Sequence, residues 1–287
     1  MEYGRKAVAW FGAQRDRAAL CGKEKSTVYE TLLFEARDGI GRLVLNRPER
    51  LNGITNRMMV EVYDCLETVA QRTDIRVLVL TGAGKGFCPG ADIKSYSSGE
   101  EDVKSSPRHF RISLHLHTLP QVTIAAINGA CAGAGFGWAC ACDLRFAARS
   151  ATFSSAFLNV ASAGDMAGPW TLPRIVGAAK ARELYFLPDK FGAEQALDMN
   201  LVNRVFEDEA LGREVDAVAE RLAAASPHAL RTMKQNFLDA ETLGMEQYSD
   251  LETKRHIEVM AHDDAREAFR AFIEKRPPRF GSAGTET

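Results

Sequence analysis

Apolar runs of strand length alternate with stretches of helical period along most of the chain. Thr31 to Glu35 and Gly41 to Leu45 predict a β-hairpin whose turn contains Asp38-Gly39, and Pro48 ends its second strand. From Asn56 to Gln71 the apolar positions Met59, Val62, Leu66 and Val69 follow the spacing of a surface helix. Further strands are expected at Ile75 to Thr81, Val122 to Ala126 and Leu144 to Ala147. Ser95 to Ser106 is polar and predicts a mobile loop, and a helix carrying Phe110, Ile112, Leu114 and Leu116 follows Pro107. After Glu207 the pattern is wholly helical: Leu211 to Ala225, then Ser226 as N-cap and Pro227 as first residue of a helix reaching about Leu243. Met245 to Met260 and Asp263 to Glu274 complete the set. The fold class is α/β, and the alternation taken alone is compatible with a doubly wound sheet.

Two strands run into glycine-rich segments. Val122 to Asn128 leads into Gly129-Ala-Cys-Ala-Gly133-Ala-Gly135-Phe-Gly137, where a buried helix is expected. Each helical glycine costs about 1 kcal/mol relative to alanine, so something must offset three of them. One reading is close approach of a ligand to the peptide N–H groups at a helix start; the other is tight packing against a neighbouring helix or sheet. Ile75 to Thr81 likewise feeds Gly82 to Asp92. Two such loops are able to aim one N–H each at a single oxygen, which is how an oxyanion hole is assembled. The glycine spacing fits neither G-x-G-x-x-G nor a P-loop, so no dinucleotide or nucleoside triphosphate is indicated.

With 287 residues, 46% of them hydrophobic and 26% charged, the chain has the composition of an ordinary globular protein. A net charge of −2 argues against nucleic acid or an anionic membrane as the main partner. Cys21, Cys65, Cys88, Cys131, Cys140 and Cys142 form no C-x-x-C pair and are expected as reduced, buried thiols of a cytoplasmic protein. His115 and His117 are two apart and face different sides of a helix, so no metal and no separate cofactor is expected. Met1 to Ser26 is basic, with AVAWFGAQ at its centre, and is either an organellar leader or an upstream extension.

The segments Asn46-Arg47-Pro48, Gly86 to Lys94, Ala126 to Asp143, and Leu172 to Gly177 with Leu201 to Asn203 resemble the enoyl-CoA hydratase/isomerase (crotonase) superfamily, from about Tyr29 to Phe280. The resemblance implies a spiral of ββα repeats over residues 28–206, preceded by an extension (1–27) and followed by a helical oligomerisation region (207–287) that builds homotrimers or hexamers. It implies an acyl-CoA substrate whose thioester oxygen sits between the amides of Ala91 and Ala134, where Ala134 replaces the usual glycine. CoA is then expected along Arg50, Leu51, Lys85, Asp92, Ile93 and Gly133, with Lys275, Arg276 and Arg279 either reaching phosphates or forming a solvated basic tail.

The departures carry as much information as the matches. Hydratases of the family use two glutamates; the corresponding positions here are Gly137 and Phe157. Water addition needs a paired acid and base, so the usual hydratase mechanism is not available to these residues. Asp165, in Ser162-Ala-Gly-Asp165-Met-Ala-Gly168, lies where several relatives carry a catalytic aspartate. Flanked by Met166 and Trp170, it is expected to be partly desolvated and a better base for it; its other reading is a helix N-cap. Phe136 and Trp138 are expected in the core. Four functions follow: double-bond isomerisation with Asp165 as the base, hydration with non-standard residues, acyl-CoA binding without turnover, and displacement through an aspartyl ester.

Overall fold

In a computed structural model of the chain, residues 29–98 and 103–280 are described; the expectations for the basic N-terminal segment fall outside them. Strands β1 (Leu32–Arg37) and β2 (Ile40–Leu45) form the expected hairpin, with Asp38 and Gly39 both at positive φ in its turn. Thr55 caps α1 (Asn56–Ala70), its side chain accepting from the Met58 amide, and Met59, Val62, Leu66 and Val69 are all buried. The predicted surface helix is therefore one whose apolar stripe is fully used.

The remaining strands come in pairs. β3 (Val77–Gly82) is followed by β4 (Gly86–Cys88) and then α2 (Ile93–Ser98). Past α3 (Ile112–Thr118), β5 (Val122–Ile127) is followed by β6 (Ala130–Ala132) and α4 (Gly133–Ala141). β7 (Leu144–Ala148) is followed by β8 (Thr152–Ser154) and, after a 3-10 turn, by α5 (Gly168–Val176). Then come α6 (Ala178–Phe186), β9 (Phe191–Gly192), α7 (Ala193–Asp198) and β10 (Arg204–Phe206). In the pairs β3/β4, β5/β6 and β7/β8 the first strand enters a six-stranded sheet ordered β1-β2-β3-β5-β7-β10 and the second a four-stranded sheet ordered β4-β6-β8-β9, whereas β9 joins the four-stranded sheet before β10 returns to the six-stranded one. A chain that gives one strand to each of two sheets per turn is a ββα spiral, not a doubly wound single sheet.

Two sequence expectations are corrected here. The glycine-rich segments after β3 and β5 are not loops throughout, because each contains a three-residue strand, the buried Gly86-Phe-Cys88 and the half-buried Ala130-Cys-Ala132. A strand this short, made of small residues, leaves no alternation to detect. The polar stretch expected to be a loop from Ser95 begins instead inside α2, where the Asp92 carboxylate accepts the Ser95 amide at 3.2 Å and caps the helix.

At the C-terminal end, α8 (Leu211–Ala223) buries Leu211, Val215, Ala219 and Ala223 against the six-stranded sheet. Ser226 and Pro227 open α9 (Pro227–Ala240) as expected, with Ser226 Oγ accepting the Ala229 amide at 3.2 Å. α9 is tied inward by Lys234, whose buried Nζ donates to the Gln121 carbonyl and to Asp143 Oδ2, both at 2.8 Å. Asp143 in turn accepts the Thr123 amide at 2.7 Å, so one carboxylate joins α9 to the start of β5. α10 (Met245–Ala261) buries none of its side chains, and α11 (Asp263–Ile273) buries only Ala271. Met233, Phe237, Met245, Ile257, Phe269, Phe272 and Ile273 of α9 to α11 stand exposed.

Lys234→Ala leaves Asp143 with its cation removed and the Gln121 carbonyl without a donor. A loss of about 3 kcal/mol is expected, measured as a fall in the denaturant midpoint.

Candidate active site

The site is organised by α4, whose nine residues are all buried. A helix apolar on every side belongs inside a protein, and this one is wrapped by β4, β6, β8, α3 and α5. Its glycines divide the two explanations offered by the sequence. A Cβ at Gly135 would lie 2.3 Å from the Cys88 carbonyl oxygen, and one at Gly137 would lie 2.6 Å from Met166 Cβ. Both are packing glycines that let the helix backbone touch its neighbours. Gly133 differs: it starts the helix at φ +53°, with its own Cβ direction facing Gly90.

The second loop meets the first at that point. Gly90 has φ +94°, and a Cβ there would come within 3.2 Å of the Ala132 carbonyl and 3.5 Å of the Ala134 amide nitrogen. The Gly90 carbonyl accepts from the Ile54 amide at 2.8 Å and the Asp92 amide donates to the Ile54 carbonyl at 2.9 Å. Those two bonds flank Ala91, whose own N–H therefore points to the side away from Ile54. Ala134 is the second residue of α4, so its N–H has no acceptor within the helix. The structure thus brings together Gly90, Ala91, Gly133 and Ala134, the loops predicted to share one oxygen.

Side chains that the glycine pattern did not reveal hold these loops in shape. Asn52, wholly buried at φ +67°, donates to the Ala83 and Gly86 carbonyls at 3.0 and 2.8 Å and accepts the Arg47 amide at 2.9 Å. Asn128 donates to the Gly82 and Gly84 carbonyls at 2.9 and 3.1 Å. Each asparagine supplies the bonds that a tight loop cannot make to itself. Arg47 bonds the Gly53 carbonyl and pairs with Asp92 at 3.0 Å. Burial opposes ionisation of Asp92, but the Ser95 amide and the Arg47 and Arg50 guanidiniums outweigh it and hold the carboxyl below its ordinary range.

Among the predicted CoA contacts, Asp92 is thus engaged as a helix cap and ion-pair partner. Arg50, Leu51, Lys85 and Ile93 are exposed along the same rim, Leu51 at φ +51° after the 3-10 turn Pro48–Arg50. Lys275 and Arg279 lie beyond α11, which packs on α10; there Arg276 pairs with Glu267 and Glu274, and the Arg279 amide donates to Glu267 at 3.0 Å. This subunit's own contacts do not carry Lys275 and Arg279 to the glycine loops.

Asp165 sits in a segment with four positive-φ residues, Ala161, Gly164, Met166 and Ala167. Its side chain does not cap α5: the N-cap is Ala167, with no side-chain bond. Oδ1 is shielded from solvent and has no hydrogen-bond partner among the described residues. Burial raises its pKa above the ordinary aspartate value, only partly offset by its own backbone amide. The expected desolvation is present. The Trp170 ring is exposed, under the Arg174 guanidinium at 3.8 Å and edge-on to His117 at 5.1 Å. Met166 is buried over Gly137, and Phe157 stacks on Tyr185 at 5.9 Å. Phe136 and Trp138 are in the core as expected. Five cysteines are free and buried, and burial pushes the thiols of Cys88, Cys140 and Cys142 up to about 12. Cys21 lies outside the described residues. Among those residues no cluster of His, Cys, Asp or Glu is arranged to hold a metal, and no helix is long and apolar enough to cross a membrane.

Two outcomes are expected. Gly135→Ala forces α4 off the Cys88 strand and costs about 1–3 kcal/mol or more, seen as a lowered melting temperature. Asp165 has a folded pKa above its unfolded one, so the stability it contributes is present at low pH and is lost as pH rises through the folded value. Asp165→Asn is therefore expected to melt above the parent at neutral pH, with the difference vanishing toward pH ~4.

The model of the enoyl-CoA hydratase/isomerase family matches residues 35–283. The chain is 37% identical to the 1,2-epoxyphenylacetyl-CoA isomerase of Escherichia coli (strain K12), a match covering 88% of this chain and 98% of that protein. It is 33% identical to a peroxisomal Delta(3,5)-Delta(2,4)-dienoyl-CoA isomerase of Arabidopsis thaliana, over 83% and 91% of the two chains. The crystal structure of an enoyl-CoA hydratase from Bacillus anthracis superposes with a TM-score of 0.82 at 29% identity, over 88% and 99%. Isomerases and hydratases thus both share the ββα spiral described above, and the chain belongs to the enoyl-CoA hydratase/isomerase family.

Proposed function

We propose that the protein is an isomerase acting on an unsaturated acyl-CoA, with Asp165 as the base and the amides of Ala91 and Ala134 as the oxyanion hole. The observation that carries this reading is a single desolvated carboxylate in a site where both usual glutamate positions are filled without one. The place beside Gly137 is taken by Met166, and Phe157 is stacked on Tyr185. A lone base suffices for a double-bond shift. It removes a proton from the carbon between the thioester and the double bond, the negative charge collects on the thioester oxygen between the two amides, and the same group returns the proton at the far carbon of the former double bond, which leaves the new double bond conjugated with the thioester. Desolvation favours the neutral acid and makes the ionised form a stronger base. Arg50, Lys85 and the rim around Ile93 are suited to the nucleotide end of CoA, as point charges and apolar cover. Isomerases occur among the relatives alongside hydratases, which is consistent with this choice.

Assembly into homotrimers or hexamers is part of the same proposal, supported by the apolar side chains left exposed on α9 to α11. A neighbouring copy is then the route by which Lys275 and Arg279 reach CoA phosphates.

Assay of double-bond migration in a 3-enoyl-CoA tests the reaction. Asp165→Asn is expected to lose about 10²- to 10⁴-fold in kcat, the usual contribution of a positioned base. Because the base must be ionised, kcat falls as pH drops through the Asp165 pKa, and that limb lies above the ordinary aspartate range. Full activity of Asp165→Asn would remove this residue from the mechanism, and crotonyl-CoA hydration well above background would favour a hydratase.

A further inference from the structure

Facing Asp165 is a second buried polar group that the proposed reaction does not use. Tyr185, on α6, has its hydroxyl shielded from solvent and without a hydrogen-bond partner among the described residues, the same condition as Asp165 Oδ1. Its ring lies along the segment that carries Asp165. A Cβ at Gly164 would be 3.4 Å from Tyr185 Cε1, and a Cβ at Gly168 would be 1.5 Å from the hydroxyl oxygen itself. The two glycines bracket Asp165 in sequence, so the absence of their side chains lets the phenol lie flush against the loop from one end to the other. The Asp165 carbonyl faces the Gly168 amide at 3.5 Å, which keeps the same short arc closed over the ring.

An orphaned donor and an orphaned acceptor in one water-excluded place are each costly alone and complementary together. We propose that Tyr185 is the positioning residue of Asp165: when the carboxyl ionises, the Tyr185 hydroxyl donates to it and fixes the base in one orientation. The segment beside the phenol holds Met166 and Ala167 in consecutive left-handed conformations. The charge of Asp165 already reaches the phenol, since burial, Cys140 and Asp165 in that order raise the Tyr185 pKa.

Few other groups bear on the pair. From α4 the titratable neighbour is Cys140, itself held as the neutral thiol by burial. From α5, Arg174 is turned onto the Trp170 ring, and the 3-10 turn Phe157–Val160 presents Phe157. On α6, Arg182 and Glu183 are exposed, with Glu183 paired to Lys180. A hydrogen bond from Tyr185 is thus the main stabilisation available to the ionised base from within the fold.

The inference rests on Asp165 being the base, and the experiment separates the two. The carboxyl of Asp165 is titrated by carbon-13 NMR in the free protein, parent against Tyr185→Phe, so that the readout requires no substrate. Removal of the donor is expected to raise the Asp165 pKa by about one unit, the size of one hydrogen bond to a charged group. In the 3-enoyl-CoA assay the acid limb of kcat moves up equally, and kcat falls while KM holds. Gly168→Ala, whose new methyl displaces the hydroxyl, is expected to reproduce the shift with Tyr185 intact. An Asp165 pKa unchanged or lowered in Tyr185→Phe overturns the proposal and leaves the phenol as core filling. Full activity in Asp165→Asn overturns instead the assignment of the base, while the NMR titration still decides whether the pair forms.

Discussion

Everything at this site depends on backbone-to-backbone contact between α4 and β4. At Gly135 the helix lies so near the Cys88 carbonyl that no side chain fits between them. This contact sets the depth at which the helix N-terminus emerges, and so where the Ala134 amide stands relative to Ala91. An oxyanion hole requires donors fixed to within a fraction of an ångström, and interior packing of this density supplies that rigidity without a dedicated side chain. The asparagines at 52 and 128 do the same for the opposing loop, replacing flexible glycine backbone by a fixed set of side-chain bonds.

The Asp165 carboxylate, the proposed base, is organised on the opposite principle. Where the amides are fixed by close contact, Asp165 is placed on an irregular segment with several left-handed residues, shielded from water but with an oxygen left unbonded. Such a group gives up stability in the ionised state and gains basicity from it. Burial without a partner is a poor way to build a stable core and a direct way to tune a proton acceptor.

Much of this was legible in the chain and some was not. The hairpin, α1 and the Ser226-Pro227 helix start follow from turn chemistry and periodicity, while the meeting of the two glycine loops was implied by the family resemblance. The second strand of each repeat did not show, because Gly86-Phe-Cys88 and Ala130-Cys-Ala132 are only three residues long and carry no polar residue to mark an alternation. The desolvation of Asp165 was anticipated from Met166 and Trp170 beside it, but not the part taken by residues distant in sequence. The groups packed about it come from Met166 beside it and from distant residues such as Tyr185, and tertiary neighbours of that kind leave no local mark. Tyr185 itself gave no signal at all, since a tyrosine inside a helix is ordinary until two glycines elsewhere are found to be shaped around it.

The fit of Met166 over Gly137 makes the two positions a coupled pair. Any longer side chain at 137 must first displace a buried methionine, while a smaller residue at 166 on its own leaves a void. A carboxylate therefore returns to that face of the helix only through paired changes whose intermediates are each less stable than either end. The packing works as a lock: with the methionine seated over the glycine, a two-acid site is opposed by the core itself.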